Sequence, residues 1–115
     1  MKDSDKAMLD QAVKAAAACI IDYIDNDIDS LVRTPEMSRF PRSVALRSCI
    51  LTPIAFADFE ANRTPEHPSI TGDPIYQAAF EYANSFRQRW GSNPFGRIAG
   101  EAQAMQQHLE KMANL

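Results

Sequence analysis

The residues of this 115-residue chain best suited to chemistry fall in one short stretch, Ser85-Phe86-Arg87-Gln88-Arg89-Trp90-Gly91-Ser92-Asn93-Pro94-Phe95-Gly96-Arg97. The chemistry they offer is recognition. A guanidinium stays charged at any physiological pH, forks onto carboxylate or phosphate, and stacks on an indole face. Arg87 lies one helical turn from Trp90, the only tryptophan, where an arginine can stack on the indole with its guanidinium free for carboxylate or phosphate. Arg97 falls in the first turn of the next expected helix, where the dipole disfavours a cation but favours an anionic ligand. A second basic island holds Arg33, Arg39, Arg42 and Arg47 against the single acid Glu36. The candidate partner-binding set is therefore Arg87, Arg89, Trp90 and Arg97, joined by Arg39 and Arg42. The competing reading pairs these arginines with the chain's own acids on the N-terminal helix and in residues 58–73.

Other constellations carry less. Asp22, Asp25 and Asp29 share the polar face of a helix expected to run past them, and form a candidate docking site for a basic partner. Asp25-x-Asp27-x-Asp29, with Glu36 eleven residues after Asp25, imitates the spacing of a calcium loop. Ser30 stands where that loop needs glycine, and Pro35 and Pro41 disturb the exiting helix, so no metal site is assigned. His67 and His108 have no Cys, Asp or Ser at a nucleophile or zinc spacing, and no glycine-rich phosphate loop is present. The reading is a non-enzyme without cofactor. Cys19 and Cys49 follow neither redox nor metal spacing and read as small buried hydrophobes in a reducing compartment, the cytoplasm. Gly96, Gly100 and Ala104 line up on one side of the last helix, a ridge that permits close approach of another helix, within the chain or in a second copy. Within the chain the first helix is the expected neighbour, through Ala12, Ala15 and Ala18.

The totals set limits. One domain spanning residues 1–115 is expected, long enough for a core without metal or disulfide support. A net charge of −3 speaks against a general polyanion binder. The charge is segregated: residues 1–29 hold seven acids against three lysines, whereas 87–97 hold three arginines and no acid. Met1-Lys2-Asp3-Ser4-Asp5 lacks the basic start and apolar run of a signal peptide. The longest apolar stretch, 44–57, contains Arg47 and Pro53 and is too short to span a membrane.

The elements that must position these residues are helices. Leu9, Val13, Ala16, Ile20, Ile24, Ile28 and Leu31 recur at steps of three and four, predicting one helix over 5–31 with Ser4 as N-cap. At about 40 Å it would outrun a domain about 35 Å across, and a projecting apolar stripe would want a partner. Residues 35–40 read as a loop or a single turn. A second helix over 42–61 is apolar all round and belongs at the centre, kinked at Pro53; a buried strand over 48–56 is the alternative. The repeated Arg-Thr-Pro-Glu at 33–36 and 63–66 reads as a shared helix-stop signal. Asp73 and Pro74 open a third helix, whose core face is Ile75, Ala79, Tyr82, Ala83, Phe86 and Trp90, and Gly91 closes it. Ser92 or Asn93 caps a fourth helix running from Pro94 to 113, with Phe95, Ile98, Ala102, Met105, Leu109 and Met112 as its stripe.

The expected fold is all-α: a compact four-helix domain with a long N-terminal helix and a central, buried, Pro-kinked one. The expected function is a small cytosolic protein–protein interaction module (an adaptor, inhibitor or regulatory subunit), with a homodimer as one assembly. Its anchor would be an aromatic with a charged rim. The alternatives are a nucleic-acid binder using helix 94–113 and both arginine islands, and an enzyme whose groups converge from distant positions.

Overall fold

The computed structural model describes residues 3–23, 27–62, 70 and 72–113, with the backbone alone at Asp3, Tyr23 and Ala113. Among these residues the chain is all helix and turn. The helices are α1 (Asp3–Tyr23), α2 (Ile28–Val32), α3 (Pro35–Ser38), α4 (Arg42–Ala61), α5 (Pro74–Trp90), α6 (Ser92–Gly100) and α7 (Ala102–Ala113). Extents of 32 × 30 × 29 Å and a Cα radius of gyration of 12.8 Å describe a nearly isotropic body.

The long N-terminal helix does not exist as one piece. α1 ends at Tyr23, and Asp27 takes an extended conformation (φ −72°, ψ 165°) to cap a new helix, its carboxylate accepting from the Ser30 N–H at 2.8 Å. Twenty-one residues rise about 31 Å, which the domain accommodates, so no apolar stripe projects and the length argument for a dimer falls. Ser4 lies one residue inside α1. The Arg-Thr-Pro-Glu at 33–36 is a joint: Arg33 closes α2, while Thr34 accepts from Met37 N–H and Pro35 takes the first position of α3. Its second copy, at 63–66, lies outside the described residues.

α4 is central, as its all-round apolarity requires. It touches every other described helix, and Cys49, Ile50, Leu51, Thr52, Ala55 and Phe56 are fully covered. Residues 48–56 are helix, not strand, and Pro53 lies inside it. The helix ends at Asn62 in the left-handed conformation (φ 52°), its N–H returning to Phe59.

Two buried polar contacts brace this frame. Tyr76 donates to Asp58 at 3.2 Å, joining α5 to α4. Cys19 on α1 meets the hydroxyl of Thr34 at 3.4 Å, with Thr34 also donating to the Leu31 carbonyl. Burial holds the Tyr76 phenol well above its ordinary value and pushes the Cys49 thiol up to about 12. Both cysteines are free and buried.

The last expected helix is also two. Glu101 (φ −86°, ψ 0°) ends α6, and α7 begins at Ala102, each burying its part of the stripe: Phe95 and Ile98 from α6, Met105 and Leu109 from α7. The Gly96, Gly100 and Ala104 ridge is exposed, and a methyl group added at either glycine would meet nothing within 4 Å. Neither α1 nor any other described helix packs there, which corrects the expected intrachain contact. Of the alanines assigned to meet the ridge, Ala12 is buried and Ala18 exposed.

Candidate functional site

α5 and α6 meet at a single residue. Asp73 starts α5 by accepting from the Ile75 N–H at 2.8 Å, with Pro74 at the first position where no N–H is needed. Gly91, at φ +83°, ends α5 and stands at the start of α6. That conformation suits glycine because a Cβ would crowd the backbone. The helix resumes at Ser92, so neither Ser92 nor Asn93 serves as a cap, and Pro94 is the third residue of α6.

Beneath this corner lies an aromatic cluster. Phe56 of α4 stacks on Phe95 (5.0 Å between centroids, 16° between planes) and meets Phe86 at 5.2 Å. Tyr82, Phe86 and Trp90 recur at steps of four and form a ladder on α5, with centroids 5.8 and 6.3 Å apart. The ladder climbs from core to solvent. Phe86 is buried and Tyr82 half-buried, but Trp90 is 57% exposed, so it is a surface residue and not a core one. Burial raises the Tyr82 phenol above its ordinary value, against the opposing pull of Arg89.

The arginines are placed differently from the sequence expectation. Arg87 lies over the Phe95 ring, 5.7 Å from its centroid, and not on Trp90. Arg97 belongs to the last turn of α6, where a cation is favoured by the helix dipole. Arg89 faces α1 across a furrow of about 530 Å³ lined by Lys14, Tyr82, Ser85, Gln88 and Arg89. Lys14 stands 5.9 Å above the Tyr82 ring. Arg87, Arg89 and Arg97 are exposed, and none forms an ion pair among the described residues.

The other island has partners. Arg47 is tied to the capping carboxylate of Asp73, its Nε donating to Oδ2 at 3.0 Å, so one acid both starts α5 and pins it to α4. Arg42 approaches Asp29 at 3.7 Å, with both side chains about 60% exposed (62% and 59%). Arg39 lies over the Phe40 ring at 4.9 Å. The structure does not join Arg39 and Arg42 to the Trp90 surface. Arg42 precedes Phe56 by fourteen residues, about 21 Å along α4, and Phe56 carries the aromatic cluster.

The acidic trio is also dispersed. Asp22 is exposed near the end of α1, Asp29 belongs to a different helix, and Asp25 lies outside the described residues. Asp27 is committed to capping α2, which holds its carboxyl below the ordinary value. Among the described residues no group of His, Cys, Asp and Glu is placed to hold a metal ion. His108 sits half-buried on α7, and His67 lies outside the described residues.

Sequence reasoning left Lys14, Tyr82, Ser85 and Gln88 out of the candidate binding set. Their only signal was position: Tyr82 and Ser85 precede Arg89 by seven and four residues on one helix. Lys14, from the opposite wall, could be found only by folding the chain. Comparison of the chain with protein-family models, with curated proteins and with solved structures gives no match in any of the three.

Proposed function

We propose that this chain is a small protein-interaction module, an adaptor, inhibitor or regulatory subunit, that grips a partner at the α5–α6 corner. The observation that carries this reading is the exposed Trp90, packed on the buried Phe86 at the corner whose two helices carry the exposed Arg87, Arg89 and Arg97, which are without ion pairs among the described residues. An indole held by Phe86 gives up little conformational freedom on binding, and tryptophan and arginine dominate interface energetics. Three cations on a chain of net charge −3 suit an acidic protein surface better than a polyanion.

A reducing, cytoplasmic setting fits two buried free thiols, and no described helix is long and apolar enough to cross a membrane. If the module pairs with a second copy, the open ridge of Gly96, Gly100 and Ala104 is the surface for it. The test is capture of a partner from the native host by the immobilised protein. Trp90→Ala and Arg89→Glu are expected to abolish capture with helical circular dichroism unchanged, and normal capture by both would sink the reading.

A further inference from the structure

α1 and α5 run side by side in the same direction, and the hollows between them form one furrow. The 530 Å³ hollow at Lys14, Tyr82, Ser85, Gln88 and Arg89 shares Lys14, Tyr82 and Ser85 with a hollow of about 180 Å³, which adds Asp10, Ala78 and Glu81. A third, of about 210 Å³, shares Asp10, Ala78 and Glu81 and continues to Lys6 and Gln77. Charge alternates along it. Asp10 of α1 and Glu81 of α5 line the same two hollows, with Lys14 in one and Lys6 in the other, and Lys14 shares the next hollow with Arg89 of α5, where no acid lines the wall. None of Asp10, Lys14, Glu81 and Arg89 makes an ion pair among the described residues. A ligand that brings an acid to the Lys14–Arg89 zone and a base to the Asp10–Glu81 zone complements both.

We propose that this furrow receives an extended segment of a partner protein, with an acidic side chain between Lys14 and Arg89 and a basic side chain between Asp10 and Glu81. This rests on the interaction reading above and specifies the partner. The zones are separated by four residues on α1 and eight on α5, about 6 to 12 Å of helical rise. In an extended chain, residues two apart point the same way and stand about 6.6 Å apart, so the recognised pattern is an acid and a base flanking one residue. Ser85 and Gln88 offer hydrogen bonds to its backbone. A docked helix is disfavoured because the lining is mostly polar and such helices bind by an apolar face. A second copy is disfavoured because two concave furrows do not interlock.

The test is an NMR titration of the isotopically labelled protein at millimolar concentrations of a pentapeptide, blocked at both ends, with glutamate second and lysine fourth among alanines. The reversed order, and the peptide with two glutamates, run alongside. The expected result is shifts at Lys14, Glu81, Ser85 and Arg89 for a mixed-charge peptide. Binding should fall about fivefold in Arg89→Glu and recover when the peptide's glutamate is replaced by lysine. No shift in the furrow, equal shifts from the two-glutamate peptide, or shifts from a short oligonucleotide in place of the peptide would each overturn it. The two ideas fail separately. Loss of host-partner capture in Trp90→Ala with a silent furrow leaves the corner and removes the furrow. Furrow shifts with normal capture by Trp90→Ala and lost capture by Arg89→Glu do the reverse.

Discussion

Arg47 and Arg89 are the same residue type on adjacent helices, and the fold treats them oppositely. Arg47 is one-third exposed and spent on Asp73, a carboxylate already engaged as the cap of α5. Arg89 is exposed and faces Lys14, with no acid in contact among the described residues. The first arrangement holds two helices together. The second stores a charge with nothing internal to answer it, beside an indole that the core supports but does not cover. The difference teaches that an arginine-rich stretch carries no role by itself, since the neighbouring helix decides whether the charge braces the fold or faces outward.

Phe56 underlies the corner through Phe86 and Phe95, so Phe56→Ala should cost about 3–5 kcal/mol in urea unfolding. A loss under about 1 kcal/mol would mean the corner does not rest on the core. Alkali tests the same helix. The Cys49 thiol is raised to about 12, so the native state holds its proton after the unfolded chain has released it. Its contribution is complete below the ordinary thiol value near 9 and declines as pH rises toward 12. Stability should therefore fall across that window and fall less in Cys49→Ala. Trp90 fluorescence and helical circular dichroism should report one transition, and a tryptophan signal that moves first would make the corner a separate unit.

On the braced side, Asp73→Ala removes both a cap and the Arg47 partner and should cost about 2 kcal/mol by chemical denaturation. On the open side, Gly96→Ala meets no neighbour and should raise stability by about 0.5–1 kcal/mol. A destabilised or dissociated product would show instead that the ridge is covered in solution. The smallest effect belongs to the exposed Arg42–Asp29 pair, whose double-mutant cycle should give a coupling below about 0.5 kcal/mol. A coupling near that of Arg47 with Asp73 would erase the distinction between the islands.

Much of this was readable from local pattern. The apolar steps of α1 from Leu9 to Ile20, the bounds of α4, and the Asp73-Pro74 start and Gly91 end of α5 are each dictated within a few residues by periodicity or by cap chemistry. The new cap at Asp27 and the end of α6 at Glu101 were not legible, because an apolar stripe can continue in phase from one helix to the next. How far Trp90 stands out of the core face assigned to it was not legible for a related reason. Its i, i+4 spacing after Phe86 places it on the apolar face, but nothing in the spacing says that the body under that face ends one turn earlier.

The sequence by itself determined that this protein is helical, where most of its helices start and stop, that α4 lies at the centre, and that basic and aromatic residues gather at the α5–α6 corner. These follow from interactions within one or two turns. Only the tertiary structure decided which charges are answered. Asp73 reaches Arg47 across 26 positions, Lys14 meets Tyr82 and Arg89 from another helix, and Trp90 rises clear of the core. Charges and rings act across space, and the chain order that sets the local code is silent on which surfaces come to face each other.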